Sequence, residues 1–391
     1  MLRFLTAGES HGPLLTAILE GMPAGLALSA EDIDGELARR QQGYGAGGRM
    51  HIERDAVRIT SGVMNGVTTG APIALHVENR DFKNWKEKDI APMTTPRPGH
   101  ADLTGAIKYG YRELRVALER SSARETTMRV AAGAVCRKLL AEFGIVIGGY
   151  TVQIGDVQAH LGDTRDYLAR FTAAEASDVR CPDPTTAAAM HAAIHAAKVD
   201  QDTLGGIFEV VALNVPPGLG SYVQHDRRLD AKIVGAMLSI HAMKGAEIGD
   251  AFANAGKRGT QVQDEITLGV NGALHRTTNR AGGLEGGITT GEPIIVRVAM
   301  KPIATILQAM QSVNLATGEP EATTYERSDF CALPRAVPIG EAMLALVLAD
   351  ALLEKLGGDS VDELRPRFAA LRQARLADLP MDNVVWRFGY D

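Results

Sequence analysis

The stretch AGESHG, residues 7–12, sets a serine and a histidine side by side between two glycines. Adjacent residues on an extended chain point to opposite sides, so Ser10 and His11 cannot easily form the hydroxyl-to-imidazole hydrogen bond of a serine nucleophile. This disfavours a serine hydrolase. Because Gly8 and Gly12 permit the close approach of a ligand, His11 suits a single acid or base at a tight turn. A structural histidine is the alternative that this stretch alone leaves open.

Arginine residues give a second chemical signal because they cluster in two segments: Arg39, Arg40, Arg49, Arg54 and Arg58, and then Arg112, Arg115, Arg120, Arg124 and Arg129. The formal net charge of −6 gives the chain no general attraction to nucleic acid. Arginine beside glycine-rich sequence is typical of a concave site for phosphate and carboxylate groups. A solvated helix face is the alternative.

The composition argues against several other classes of protein. Without a run of eighteen apolar residues or a charged and apolar leader, the chain is expected to be cytoplasmic, with no membrane partner. The three cysteines lie far apart, which predicts reduced thiols and neither a disulfide framework nor a zinc site. His191 and His195 have the spacing of metal ligands on a helix, but no third ligand is near them in the sequence. We therefore predict a solvated surface there and no metal site.

Capping and stop residues in the sequence predict which helices carry these arginines. Ser29 and Asp32 resemble a capping box, which predicts a helix over 30–42 with Arg39 and Arg40 in its last turn. The following GYGAGG, residues 43–48, matches a dinucleotide-binding pattern. That fingerprint requires a strand before it and a helix after it, whereas here a helix precedes and the alternation of a strand follows, so we reject it.

Further helices are expected later in the chain. Ser122 and Glu125 form a second capping box, which predicts a helix that ends at Gly144. Its N-terminus, flanked by Arg120 and Arg124, would attract an anion. Two more helices are predicted over 226–244 and 341–356, with Gly245 and Gly357 as stops.

An internal repeat suggests how the chain is organised. GVTTGAPIALHV at 66–77 and GITTGEPIIVRV at 287–298 agree at seven of twelve positions. Both read as a turn that leads into a strand, so a duplicated unit is the simplest interpretation and chance similarity the alternative. We predict a single domain of mixed α and β structure with two related halves, approximately 1–150 and 205–391. An alanine-rich helical insert is expected near 163–203.

Five stretches in order strongly resemble chorismate synthase: GESHG at 8–12, RPGHAD at 97–102, RSSARET at 120–126, AGGLEGGITTGEP at 281–293 and RSDFCALPR at 327–335. The resemblance continues in PPGLGSY at 216–222, KGAEIGDAF at 244–252 and MKPIATI at 300–306. It implies an α+β fold, an internally duplicated β-α-β sandwich with helices packed between antiparallel sheets. It also implies a homotetramer.

The reaction implied by this resemblance is the 1,4-elimination of phosphate from 5-enolpyruvylshikimate-3-phosphate, which gives chorismate in the shikimate pathway. Reduced FMN is implied without net redox change, and NADPH only if the protein reduces its own flavin. A substrate with one phosphate and two carboxylates agrees with the local excess of arginine. The family's functional histidines correspond to His11, expected to protonate the departing phosphate, and His100, expected to protonate the reduced flavin. Asp329 corresponds to an aspartate implicated in removing the ring proton.

The resemblance also implies two sets of binding residues. The substrate contacts are Ser10, Arg40, Arg49, Arg124 and Arg327. The flavin contacts are Arg120, Ser121, Ser122, His241, Ala242, Gly286, Lys301, Pro302, Ile303, Ala304, Thr305 and Arg327.

The chain departs from its relatives at two positions. Many relatives have arginine where this chain has Ala46, so Arg49 or Arg39 is expected to compensate, or else the affinity for phosphate is lower. His241 replaces a frequent amide side chain. Two other functions stay open from the sequence: a flavin-dependent oxidoreductase that acts on an anionic substrate, and a phosphate-ligand sensor without catalysis.

Overall fold

Two antiparallel sheets enclose a layer of helices in the computed structural model, which describes residues 1–46, 54–162, 165–323 and 329–389. The first sheet has four strands, in the spatial order Arg3–Ala7, Leu14–Glu20, Ile73–Glu78 and Val57–Ser61. The second sheet has five, in the order Met243–Ile248, Ile294–Met300, Gly206–Leu213, Val146–Ile154 and Val157–Gln158. The pairings within both sheets are antiparallel. This confirms the predicted α+β sandwich.

The helices between the sheets centre on the pair Thr126–Ala141 and Leu333–Leu356, which pack against each other. The first of these contacts strands of both sheets, and the second contacts strands of the five-stranded sheet. Close approach depends on Gly133, where a Cβ would lie 2.5 Å from the Cβ of Ala342. Helices Ala30–Gln41 and Leu229–Leu238 complete this layer. Burial of the apolar faces between the sheets forms the main core.

Smaller elements surround this layer. The remaining helices are Asp102–Tyr109, Arg115–Ser121, Tyr167–Glu175, Pro184–Val199, Ala251–Ala255 and Val361–Ala369. Short strand pairs are Val63–Met64 with Val67–Thr68, Ile266–Leu268 with Leu274–Arg276, Leu284–Glu285 with Ile288–Thr289, and Gln311–Val313 with Pro320–Ala322. Short 3₁₀ turns include Arg80–Asn84 and Ala123–Glu125.

Helix Leu333–Leu356 corrects one expectation. It begins eight residues before the predicted start, because a proline in the first helical turn lacks only an N–H that has no intrahelical partner there. By length and mean hydropathy the helix could cross a membrane, although charged residues interrupt its apolar sequence. However, 89% of its most apolar window is buried inside the protein, as in a core helix.

Of the other helix predictions, one is confirmed and one is wrong at its end. The helix predicted over 30–42 is confirmed as Ala30–Gln41. The helix predicted over 226–244 is wrong at its C-terminal end, since it stops at Leu238 and Gly245 lies within strand Met243–Ile248. Pairing of that strand with Ile294–Met300 satisfies its backbone groups and overrides the local helical pattern.

The second capping box was also predicted wrongly. Ser122 Oγ accepts a hydrogen bond from the Arg124 amide and caps a 3₁₀ turn. Glu125 instead accepts hydrogen bonds from Thr6 Oγ1 and Arg129 Nε. The α-helix that follows ends at Ala141, three residues before the predicted stop.

The two repeated segments have the same local structure. Each forms a two-residue strand, a turn and then a long strand of its sheet, Ile73–Glu78 in one case and Ile294–Met300 in the other. Thr68 Oγ1 donates to a proline carbonyl 2.6 Å away and accepts a leucine amide at 2.9 Å. Thr289 Oγ1 repeats this arrangement at 2.7 and 2.8 Å. The boundaries of the two halves and of the insert stay predictions.

Candidate active site

A cavity of about 880 Å³ lies where the ends of several elements converge. It receives residues from the loop after strand Arg3–Ala7, the end of helix Ala30–Gln41 and the start of helix Leu333–Leu356. The predicted site residues that line it are Ser10, His11, Arg40, His100, Ser121, Ser122, Arg124, His241, Ala242, Lys301, Ile303, Ala304, Thr305 and Asp329. Most of the predicted set is therefore gathered in one place.

Three other predicted residues, all described by the structure, are not in this lining. Arg120 donates hydrogen bonds to the carbonyls of Thr6 and Gly8, so it supports the loop that leads to Ser10. Gly286 lies in the turn between two short strands, with a positive φ of 59°. Pro302 is exposed. Arg49 and Arg327 lie outside the described residues.

His11 is held by a carboxylate and an aromatic ring. Its Nδ1 lies 2.7 Å from Glu119 Oε1, and its backbone N–H donates to Glu119 Oε2 at 2.7 Å. The imidazole packs against the Trp85 ring with 4.2 Å between centroids. Burial would raise the pKa of the Glu119 carboxyl, but the hydrogen bonds from His11 outweigh burial and lower it. A negative carboxylate therefore faces His11 at Nδ1.

His100 also faces a carboxylate, but an arginine shares this carboxylate with it. Its Nδ1 lies 2.6 Å from Asp102 Oδ1, and the Asp102 side chain is fully buried. Arg97 donates to the same carboxylate through Nε at 2.8 Å and Nη2 at 3.0 Å. Burial opposes ionisation, but the hydrogen bonds from His100 and Arg97 hold the pKa of Asp102 far below its usual range. Asp102 is therefore an anion that orients both the His100 and the Arg97 side chains.

The segment KPIAT, residues 301–305, lines the cavity and forms hydrogen bonds with the loop that carries His100. Lys301 Nζ donates to the Gly99 carbonyl at 2.6 Å, and Arg97 Nη1 donates to Thr305 Oγ1 at 3.0 Å. The Lys301 amide donates to the carbonyl of Ala242, a non-glycine residue with a φ of 66°. A left-handed residue of this kind at a cavity wall is typical of functional sites.

Buried guanidinium groups concentrate positive charge in one part of the cavity lining. Arg40 is 3% exposed and donates to Thr126 Oγ1, and Arg124 Nη1 donates to Asp55 Oδ1 at 2.6 Å. Burial and the charges of Arg335 and Arg124, against the attraction of Asp55, lower the pKa of Arg40 to about 9. Crowding of like charges costs free energy that an anionic ligand would offset.

Asp329 faces this region from the start of the last long helix. Its Oδ2 lies 2.5 Å from Arg335 Nη1, and Arg335 Nε donates to the Arg40 carbonyl at 3.3 Å. Both side chains of the pair are mostly buried. This chain of contacts places a carboxylate at the edge of an arginine cluster.

Two cavity-lining side chains have buried polar atoms without a partner in the described part of the chain: Ser121 Oγ and His241 Nδ1. Burial, against the attraction of Glu125, lowers the pKa of His241 to about 4, so the ring is neutral near pH 7. A neutral hydrogen-bonding ligand edge, as a flavin ring system has, would satisfy both atoms. The donors present therefore fit the implied cofactor.

A chorismate synthase family model matches residues 2–353 of the chain. The chain belongs to the chorismate synthase family. It is 54% identical over 373 residues to chorismate synthase of Desulforudis audaxviator (strain MP104C), covering 93% of this chain and 95% of that protein. The chorismate synthase of Aquifex aeolicus (strain VF5) is 54% identical over 383 residues, with 94% and 96% covered.

A solved structure described as a crystal structure of chorismate synthase supports the same conclusion. It superposes with a TM-score of 0.78 at 48% identity and covers 94% of this chain and 96% of that one. The resemblance seen in the ordered motifs is thereby confirmed. Within the described residues, no group of three His, Cys, Asp or Glu side chains could hold a metal ion.

Arg39 corrects one expectation about this family member. Its guanidinium donates to Glu341 Oε2 at 2.7 Å and also contacts Glu36 and Glu175, beside a second cavity of about 470 Å³. Because these carboxylates hold it away from the first cavity, Arg39 does not compensate for Ala46. Arg49, the other residue considered for that part, lies outside the described residues.

Sequence reasoning missed several residues that shape the site: Asp55, Trp85, Arg97, Asp102, Glu119 and Arg335. Arg97, Asp102 and Arg335 lie within motifs already quoted, and Glu119 immediately precedes RSSARET. For Arg97 and Asp102, the available signal was a charged residue inside the motif that holds His100. Asp55 and Trp85 carried no such signal, since their contacts with the site come from distant parts of the chain.

Proposed function

We propose that the chain converts 5-enolpyruvylshikimate-3-phosphate to chorismate in the cavity of about 880 Å³, by 1,4-elimination of phosphate. The observation that carries this is membership of the chorismate synthase family over residues 2–353. The enzyme is a lyase of the shikimate pathway and acts on a carbon–oxygen bond to phosphate. In the reaction, that C–O bond breaks, the ring loses a proton, and a new C=C bond forms.

The arginine cluster is proposed to bind the anionic groups of the substrate. Arg40 and Arg124 are buried and line the same cavity as Arg335, and charge-assisted hydrogen bonds from guanidinium groups to an anion are strong. Ser10, 2% exposed and hydrogen-bonded to Ser122 Oγ at 3.1 Å, is proposed as a neutral substrate contact. Arg49 and Arg327 stay predicted substrate contacts from the family resemblance.

His11 is proposed to donate a proton to the departing phosphate through Nε2. The Glu119 carboxylate at Nδ1 supports this role because it stabilises the protonated ring. Asp329 is proposed to take part in removal of the ring proton, with Arg335 holding its carboxylate in place. Acid and base are then separate groups on one cavity wall.

Reduced FMN is proposed as the cofactor, which takes part in the family reaction without net redox change. Ser121, His241 and the run from Lys301 to Thr305 are proposed to hold it, and His100 to keep it correctly protonated. The orphaned Ser121 Oγ and His241 Nδ1 support this assignment. Arg120, Ser122, Ala242, Gly286 and Arg327 stay predicted flavin contacts.

A cytoplasmic homotetramer is proposed from the family resemblance, with NADPH required only if the protein reduces its own flavin. No contact with nucleic acid or membrane is proposed. The second candidate function, a flavin-dependent oxidoreductase that acts on an anionic substrate, would use the same cavity. It does not account for two carboxylate-held histidines beside an anion-binding cluster.

An anaerobic assay with chemically reduced FMN tests the proposal. We expect phosphate and chorismate to appear in equal amounts, with no consumption of pyridine nucleotide beyond initial flavin reduction. Oxidised FMN under the same conditions is the control and should give no turnover. Stoichiometric oxidation of a nicotinamide would instead indicate an oxidoreductase, and saturable substrate binding without phosphate release would indicate a sensor.

A further inference from the structure

Glu119 makes an unusual set of contacts with the loop that carries His11. Its two carboxylate oxygens accept from the backbone N–H and from Nδ1 of His11, both at 2.7 Å. Its own backbone carbonyl accepts the Ser10 N–H at 3.1 Å. The carboxylate is 15% exposed and lies on helix Arg115–Ser121, just before the RSSARET turn. One residue therefore ties this loop to the cavity wall by three hydrogen bonds.

These contacts determine the tautomer and the orientation of the His11 ring. An ionised carboxylate accepts hydrogen bonds only, so Nδ1 must carry the hydrogen that it shares with Glu119. The face of the ring is covered by Trp85. Rotation of the ring would therefore break both this hydrogen bond and the aromatic contact.

We infer that Glu119 is a positioning residue for the elimination, which holds the His11 ring in the Nδ1–H form and in the orientation that the proposed proton transfer through Nε2 requires. The inference rests on the proposed role of His11 in phosphate departure. Glu119 itself does not touch the substrate in this account. Its negative charge is favoured because the hydrogen bonds from His11 lower the pKa of its carboxyl below the usual value.

A double-mutant cycle separates positioning from a merely structural role. The proteins are wild type, Glu119→Gln, His11→Ala and the double variant, assayed as the flavin-loaded enzyme without oxygen. Because loss of a residue that orients a functional histidine typically costs about 10- to 100-fold, we expect Glu119→Gln to lower kcat by that factor with KM within about threefold. In the His11→Ala background the same change should cost less than about threefold.

Glu113→Gln is the matched control. Glu113 lies just before the same helix, and its carboxylate accepts the amides of Met93 and Arg115 at 3.0 Å. It does not line the cavity in the described part of the chain. This variant should keep kcat within about threefold, since Glu113 makes its hydrogen bonds to backbone amides away from His11 and glutamine keeps an acceptor oxygen for them.

Equal losses from Glu119→Gln in both backgrounds would overturn the inference while leaving the role of His11 intact. Wild-type turnover of His11→Ala would overturn both. If Glu119→Gln does not fold, Glu119→Asp gives the same test, because its shorter side chain can keep only one of the two hydrogen bonds to His11. We expect an intermediate loss of kcat, and wild-type kcat would refute the inference.

Discussion

The two histidines of the cavity have the same kind of partner but in different surroundings. His11 Nδ1 lies 2.7 Å from Glu119, and His100 Nδ1 lies 2.6 Å from Asp102. Arg115 Nη1 is 4.0 Å from the Glu119 carboxylate, whereas Arg97 donates two side-chain hydrogen bonds to Asp102. The negative charge of Asp102 is thus shared with a buried arginine.

This difference indicates that the two histidine–carboxylate pairs have different roles. Glu119 can direct most of its charge to His11 and so stabilise a protonated ring. Asp102 also forms a buried ion pair with Arg97, so it has a further role in the folding of the RPGHAD loop. We therefore expect Glu119 to matter chiefly for turnover and Asp102 for both turnover and stability.

The largest effects are expected when either imidazole is removed. His11→Ala and His100→Ala should each lower kcat by about 10²- to 10⁴-fold, as expected for general acids or charge stabilisers. The measurement is single-turnover phosphate release under anaerobic conditions, with circular dichroism to check the fold. A near-wild-type rate in one variant would show that only the other histidine takes part in the reaction, so the two histidines would not have comparable roles.

Asp329→Asn tests a carboxylate that is paired with arginine and not with histidine. Asparagine keeps the size and one acceptor oxygen but removes the charge and the basic site. If Asp329 serves proton removal, kcat should fall by about 10²-fold or more, while affinities for oxidised FMN and substrate stay within a few-fold. Titration of both ligands is the companion measurement. Parallel weakening of binding and turnover would show that Asp329 only orients Arg335.

Asp102→Asn should lower kcat by about 10- to 100-fold and should also destabilise the fold. Removing one partner of a buried ion pair typically costs about 3–5 kcal/mol, here because Arg97 stays buried without its anion. Urea unfolding at pH 7 measures the change in free energy of unfolding. A smaller loss of stability than in Glu119→Gln would contradict the distinction between the two pairs.

The same pair gives a pH dependence of defined sign. The folded pKa of Asp102 is lowered from the ordinary value of 3.8, so its stabilisation is present above that value. It is lost as the pH falls below about 3.8, where the unfolded chain takes up the proton first. Asp102→Asn should flatten this part of the stability profile.

The smallest effect is expected at His241, which lines the cavity with a neutral ring. Its folded pKa is lowered to about 4 by burial, so the unfolded chain binds the proton more readily between pH 4 and 6.5. Stability should therefore fall as the pH decreases through that range. His241→Gln, which restores the amide frequent in relatives, should lessen this loss and keep kcat at pH 7 within about threefold. A large loss of kcat would make His241 a third functional histidine.

Local sequence rules were enough for several parts of this protein. Ser29 and Asp32 predicted the start of helix Ala30–Gln41, and the repeated TTG segments predicted two turns that each lead into a strand. The ordered motifs were enough for the family and therefore for the sandwich of helices between antiparallel sheets. These features depend on residues within a few positions of one another, or on a pattern shared with relatives.

The tertiary structure decided which charges meet. His11 and Glu119 are 108 positions apart, and Arg39 meets Glu341 across 302 positions, so no local period relates them. The same holds for Met243–Ile248, which is a strand because its neighbour in the second sheet satisfies its backbone. Arg39 and Arg40 are adjacent in the sequence, yet one joins a glutamate cluster and the other lines the cavity. Helix geometry sends adjacent side chains in different directions, and only packing determines what each one finds there.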